Sequence, residues 1–435
     1  MGLFKIVKSR SILFIFKLLI ASEMVCLSSV VSAQSLAHLK EENAPILTLA
    51  SLQDEVLKAN QEIEAARLEW EMAKEEIPQA DSLEDPIFTL TQWALPSLFQ
   101  LGDAEERWYG ISQGLPFPGK RSLRSQIAAK GAEAAEQEYW WKRREVVHRV
   151  KAAYYKFFLI NKSSQIYLEH QALLKTFSEI ATKKYALGQV SQNDLLKANL
   201  EQTKLQMALL VFEREKVAIR AEINALRNRP PDAPVGEPEA QRYRPFLPTM
   251  QALTEQALQK RPDLLAARLM IEKEARTVAL AQKNDLPDFM IETAYMDLRT
   301  ASSDAWMLSV KMNLPWFFTA KYNARARQAR FKEAHARAGH TTLLNAVRSD
   351  MQDKFAKVKN AEVMIKAYQN GLLPQAEQSL SAAHIGYQSG NIDFIDLLES
   401  ERALLDFQHE ALDALIQFWE FVAEIEHAVG EEITF

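Results

Sequence analysis

The sequence predicts a mainly α-helical chain with a small β part, built as one unit written twice. Three observations carry this. The 435 residues include only 13 glycines, and Leu, Ala, Glu, Lys, Gln and Arg dominate, side chains that lose little rotamer freedom in a helix. Five stretches recur in the same order at an offset close to 201. Residues 57–68 return at 258–269, Pro86 and Phe88 at Pro287 and Phe289, and 114–117 at 313–316; Lys120 and Arg124 return at Lys321 and Arg325, and 185–196 at 387–398. One such match is chance; five in order are a duplication. Finally, each copy holds two short stretches of period two among long runs without a helix breaker.

Residues 1–33 have the form of a secretory signal. Lys5, Lys8 and Arg10 precede apolar runs at 12–16, 18–21 and 24–31, and Val31, Ser32 and Ala33 offer small residues for cleavage. A retained anchor is the alternative, but Lys17 and Glu23 interrupt the roughly 20 apolar residues that a spanning helix needs. Cys26, the single cysteine, lies inside this segment and follows Glu23, Met24 and Val25, which do not form a lipoprotein signal. The mature chain is then expected to hold no disulfide and no thiolate metal site. The net charge is −5, and removing four cations and one carboxylate with the signal leaves −8. That balance argues against nucleic acid as a partner.

The first repeat is set at 34–232 and the second at 233–435. Each starts with a helix, at about 50–80 and about 250–284. Two strands follow. Trp306, Leu308, Val310, Met312 and Leu314 alternate with Ala305, Ser309 and Lys311, Met307 being the exception, and Phe289, Ile291, Thr293 and Tyr295 alternate with Met290, Glu292, Ala294 and Met296. Copy one is less regular, with Phe88, Leu90, Gln92 and Ala94, then Tyr109, Ile111, Gln113 and Leu115. Each stretch is about ten residues, the length of a tilted membrane strand; a small soluble sheet covered by helices is the other reading. Pro116, Pro118 and Gly119 end the second strand of copy one, and Pro315 ends that of copy two.

Long helical hairpins, 119–228 and 319–430, complete the copies. Between Gly119 and Leu187 only Gly131 intervenes, so the first helix would extend roughly 100 Å. Val147, Val150, Tyr154 and Phe157 are spaced as a coiled-coil seam, as are Ala411, Leu415, Phe418, Val422 and Ile425. Gly188 and Gly390 supply left-handed stops. Ser191 with Asp194, and Asp393 with Asp396, restart the chain as helices. Four membrane strands cannot close a barrel, and an open edge is not tolerated in lipid. If the strands span a membrane, the chain must oligomerise, and three copies give twelve strands above twelve helical columns.

The duplicated plan and the two tips, with Tyr185, Gly188, Asp194, Leu195 and Leu196 answered by Tyr387, Gly390, Asp396, Leu397 and Leu398, resemble the TolC-like outer-membrane efflux factors over essentially the whole mature chain. The stretch Leu115-Pro116-Phe117-Pro118-Gly119-Lys120 is similar to the heavy-metal (cobalt-zinc-cadmium and copper) resistance branch. The resemblance implies a homotrimer in the cell outer membrane, with a twelve-stranded β-barrel continued by a periplasmic α-barrel. It further implies docking to a periplasmic adaptor (membrane fusion protein) and an inner-membrane resistance-nodulation-division pump. Such a protein is a passive duct and not an enzyme. Drug efflux and type I protein secretion are alternative tasks, and a soluble periplasmic coiled-coil adaptor or scaffold is the alternative of another class.

Carried over residue by residue, the family's periplasmic gate falls on Asp396 and Glu399, one helix face at i and i+3. Rings of such carboxylates favour cations. Copy one has Asp194 but Lys197 at the matching places, so only the second hairpin supplies a double acidic ring. Asp near a helix start also compensates the helix dipole. Tyr387 and Asp194 match positions that latch neighbouring hairpins in the closed state. Leu187, Gly188, Gln189, Val190, Gly390, Asn391 and Ile392 are the expected adaptor contacts, with exposure costly for Val190 and Ile392 unless a partner covers them.

Lys120, Arg121 and Arg124 start one long helix, and Lys321, Arg325 and Arg327 start the other, where positive charge opposes the helix dipole. The reading drawn from their place below the strands is a basic collar facing anionic outer-membrane lipid headgroups. A solvated face is the alternative. The eight histidines are scattered without metal-site spacing, and no phosphate loop, nucleophile elbow or triad is present. No cofactor and no bound metal are expected.

Overall fold

The computed structural model of the protein describes residues 46–93, 104–298 and 303–433. The signal segment, Cys26 and Ala94 lie outside the described residues. The chain is mainly helical with one small sheet, in the order α1 (Leu49–Ala59), α2 (Gln61–Asp81), β1 (Ile87–Trp93), β2 (Glu106–Leu115), α3 (Lys120–Ala186) and α4 (Gln192–Leu226). Then follow α5 (Met250–Lys260), α6 (Pro262–Lys283), β3 (Phe289–Leu298), β4 (Ala305–Met312), a 3-10 turn (Pro315–Phe318), α7 (Thr319–Ala367), a π turn (Tyr368–Leu372), α8 (Leu373–Ser389) and α9 (Phe394–Val429). The order of elements in 49–226 thus recurs in 250–429.

Each leading helix is two helices. Asn60 caps α2, its side chain accepting from the Glu62 and Ile63 N–H groups at 3.0 and 3.2 Å, so the ladder restarts there. In the second copy Pro262 opens α6, a position suited to a residue without an N–H. The other departure is the π turn at 368–372, which holds Gly371 and stands before Pro374 at the start of α8. Proline removes one ladder bond and glycine weakens the turn before it.

Two compact units are present. The first comprises α1, the later part of α3, α4, the π turn, α8 and the earlier part of α9. Leu174, Phe177, Leu205, Leu380, Tyr387, Phe394, Leu397 and Leu398 are among its buried core. The chain entering α1 makes a bridge, Leu47 to Pro238, closed by the Tyr154 hydroxyl donating to the Leu47 and Glu239 carbonyls at 3.2 and 3.3 Å. Burial pushes that phenol up to about 12.

The second unit holds the sheet, α2, the start of α3, α5, α6, α7 and the end of α9. The sheet is an antiparallel meander, β1-β2-β3-β4, so β1 and β4 are its two edges. Its register sorts the side chains. Phe88, Ile111, Thr293 and Leu308 lie in one row, and Leu90, Tyr109, Tyr295 and Trp306 in the next. Gln113, Ile291 and Val310, then Leu115, Phe289 and Met312, continue the same face. The opposite face is mixed: Thr89, Gly110, Ala294, Ser112, Glu292, Ser309 and Lys311 share it with Ile87, Trp93, Trp108, Met290, Met296 and Met307. Within the strands the residues read as one alternating set therefore fall on one face, while Leu314 lies beyond the end of β4. Phe88, Leu90, Ile111, Trp306, Leu308 and Val310 are exposed there, the inverse of a soluble sheet.

Candidate functional site

The first unit ends in two helix turns. At the first, Gly188 takes φ +70° and its N–H donates to the Tyr185 carbonyl at 2.9 Å, while the Gln189 N–H donates to Lys184 at 2.9 Å. The Asp194 carboxylate accepts the Ser191 N–H at 3.2 Å, closing the start of α4. At the second, Gly390 takes φ +80°, and the Asn391 N–H donates to the Gly386 carbonyl at 2.8 Å. Both left-handed turns suit glycine because it lacks a Cβ.

Leu187 is 71% exposed, and Gly188, Gln189, Gly390 and Asn391 are also exposed. Val190 and Ile392 differ from expectation. Both are half-buried and pack on the unit's core, and Ile392 lies against Gly386, where an added Cβ would meet it at 3.2 Å. The chain covers these two side chains itself. Leu187, Leu196, Ile385, Ile395 and Tyr185 are large tip residues left open.

Asp396 and Glu399 are exposed on the first turns of α9. Tyr387 is 2% exposed, its ring tilted against Phe394 at 5.3 Å and covered by the Lys184 ammonium 4.6 Å away. Lys184 also donates to the Tyr387 carbonyl. Burial first, and then the Asp194 charge, push the Tyr387 phenol up to about 12. The structure thus brings Tyr387 and Asp194 together in one copy, with Tyr387 as a core residue.

Behind the tips are polar ties that sequence reasoning missed. His170 on α3 is buried with Nδ1 at 2.7 Å from Glu401 Oε1 and Nε2 at 3.0 Å from Gln408 Oε1. Burial pulls this imidazole toward its neutral form, but the two hydrogen bonds outweigh it and the net shift is upward. Arg402 pairs with Glu201 of α4, which also holds Lys204 at 2.8 Å. Glu401 follows Phe394, Leu397 and Leu398 on the buried stripe of α9. A carboxylate in an apolar seam was the available signal that a buried partner existed.

In the second unit the basic collar divides. Lys120 is only 1% exposed; its ammonium donates to the Leu286 carbonyl at 2.8 Å and to Asp288 at 2.9 Å. Asp288 also accepts the Phe117 N–H at 2.7 Å. Lys120 therefore cannot face a headgroup: it ties the 115–120 turn to the lead of β3. Arg121 lies 3.7 Å from Asp81. Arg124, Lys321, Arg325 and Arg327 are exposed, with Lys321 and Arg325 lying 5.5 and 6.0 Å from the Tyr322 ring centroid. Among the described residues no group of three or more His, Cys, Asp or Glu side chains is placed to hold a metal, and no helix is long and apolar enough to cross a membrane.

Residues 253–431 match the family described as Outer membrane efflux protein. The chain is similar to the cobalt-zinc-cadmium resistance protein CzcC of Cupriavidus metallidurans, 22% identical over 72% of this chain and 74% of that protein. It is 24% identical to the cation efflux system protein CusC of Escherichia coli K12 over 37% of this chain and 36% of that one. In fold it resembles the outer membrane protein VceC of Vibrio cholerae, with a TM-score of 0.76 at 20% identity, covering 88% of this chain and 96% of that one. The family match thus covers residues 253–431, and the fold of VceC extends over 88% of the chain.

Proposed function

We propose that three copies of this chain form the outer-membrane exit duct of a tripartite efflux system, with heavy-metal cations as cargo. The observation that carries this reading is the sheet: Phe88, Leu90, Ile111, Trp306, Leu308 and Val310 exposed on one face, a mixed opposite face that holds Glu292, Ser309 and Lys311, and two free edges. Lipid would cover the first face, water the second, and pairing of β4 with β1 of the next copy would close twelve strands. A soluble adaptor or scaffold has no use for such a face. The repeated element order supports an internal duplication. An exposed stripe on α4, Leu196, Leu200, Met207, Leu210 and Val217, is spaced for side-by-side packing of helices from neighbouring copies.

The duct is passive and receives cargo from an inner-membrane resistance-nodulation-division pump through a periplasmic adaptor that touches the hairpin tips. Metal cations are favoured over drugs and secreted proteins because CzcC and CusC carry cobalt-zinc-cadmium resistance and cation efflux in their names. The gate is the ring formed by Asp396 and Glu399 from three copies, with Tyr387 and Asp194 shaping the hairpin behind it. Deleting the gene should sensitise cells to divalent metals; sensitivity confined to organic toxicants would replace the metal assignment. In planar bilayers Asp396→Ala with Glu399→Ala should raise single-channel conductance and weaken cation preference. Unchanged conductance would remove these residues from the gate.

A further inference from the structure

The sheet of the second unit has a helix attached below each strand: α2 leads into β1, α3 leaves β2, α6 leads into β3 and α7 leaves β4. α3 meets α2 through Arg121 and Asp81 at 3.7 Å and through the Trp70–Tyr139 stack at 5.8 Å. It meets α6 through Lys130 and Glu272 at 3.1 Å, and α7 packs on α6. The row therefore ends in α2 on one flank and α7 on the other, and the two flanks carry opposite charge. On α2, Leu68 and Met72 are exposed, Met72 by 63%, and are bordered by exposed Glu69, Glu75 and Glu76. On α7, Phe331 is 71% exposed amid exposed Arg325, Arg327, Arg330 and Lys332. Among the described residues no ion pair satisfies any of these seven charges.

The interior of the row supplies a template. Basic residues at the start of α3 oppose its dipole, and carboxylates within and beyond α6 answer them, Asp288 to Lys120 and Glu272 to Lys130. α7 has the same basic start and no acidic helix on its outer side. Carrying the α3–α6 contact across by the repeat offset sets Phe331 beside Glu71. Phe331 then meets Leu68 and Met72, and the arginines around it meet Glu69, Glu75 and Glu76. We propose that the basic outer face of α7 docks on the acidic outer face of α2 in a second copy of this chain, directly below the β4–β1 seam. This rests on the trimeric reading above and names the contact that holds adjacent copies together beneath the membrane. Opposite charges on helices running antiparallel give register as well as attraction.

The test uses the full chain with Cys26→Ser. Oxidising the double variant Met72→Cys with Phe331→Cys should give covalent dimers and trimers on denaturing gels, and neither single variant should. Arg327→Glu with Arg330→Glu should lower trimer resistance to dissociation about tenfold at low salt, since screening weakens exposed charge pairs. Adding Glu75→Arg with Glu76→Arg should restore it. A trimer by native mass measurement that never cross-links overturns this contact alone; a monomer overturns the trimeric reading with it. If the cations serve headgroups, the reversed variant keeps its trimer and loses affinity for phosphatidylglycerol vesicles, which also overturns the proposal.

Discussion

A lysine ammonium withdrawn from water needs its countercharge in place, and Lys120 has it in Asp288, whose side chain is itself partly exposed. The two partners are therefore unequal. Asp288→Ala leaves a buried cation and frees the Phe117 N–H, whereas Lys120→Met removes the buried charge and leaves a carboxylate that water can reach. Removing one partner of a buried pair costs about 3–5 kcal/mol. Asp288→Ala should approach that figure in urea unfolding, and Lys120→Met should cost clearly less; equal losses would contradict the asymmetry. The basic character of this stretch was legible in the sequence, but its partner 168 positions away was not. Charge at a helix start looks the same whether it meets lipid, water or a distant aspartate.

A buried histidine and a half-buried one give their helices opposite responses to pH. His170, on α3 against α9, has a raised pKa in the folded state, so its contribution is complete below the ordinary histidine range and is lost as pH rises through the raised value. His427 lies 4.4 Å from Trp141 and 5.3 Å from His148 by ring centroids. Burial first, and then the charges of His148, Arg261 and Lys354, push it down to about 4. The unfolded chain takes up that proton near pH 6.5, so stability falls as pH drops from there toward 4 and then levels. His427→Gln should flatten the acid side of a melting-temperature profile, and His170→Gln the alkaline side. Interchanged effects would refute the assignments. Elements themselves were largely legible: alternation gave the strands and glycine the helix stops. The Asn60 and Pro262 breaks also had local signals, as did the π turn in Gly371 and Pro374. At the tips, sequence located the turns but left Val190 and Ile392 open, because it could not show how the chain folds back over them.

For the whole molecule, the proposed assembly follows from surfaces that one copy cannot satisfy. The open edges of the sheet, the apolar stripe of α4, and the charged flanks of α2 and α7 all await other copies. The expectation of assembly rests on strand number alone. Sequence does not say which faces would meet, because that depends on the register that gathers the apolar rows and on the helix order beneath them.

Each copy contributes one β1 edge and one β4 edge, so every copy is both donor and acceptor in the proposed ring. A chain damaged at only one edge still recruits a healthy neighbour through the other. Proline in place of Leu90 blocks ladder pairing on β1 and leaves β4 intact. Expressed at equal level beside the normal chain, Leu90→Pro should reduce metal resistance well below half, because random mixing leaves only about one ring in eight wholly normal. A resistance loss of half or less would mean that damaged copies are excluded before the ring closes. The edge-to-edge closure proposed for the ring would thereby also make it dominantly poisonable.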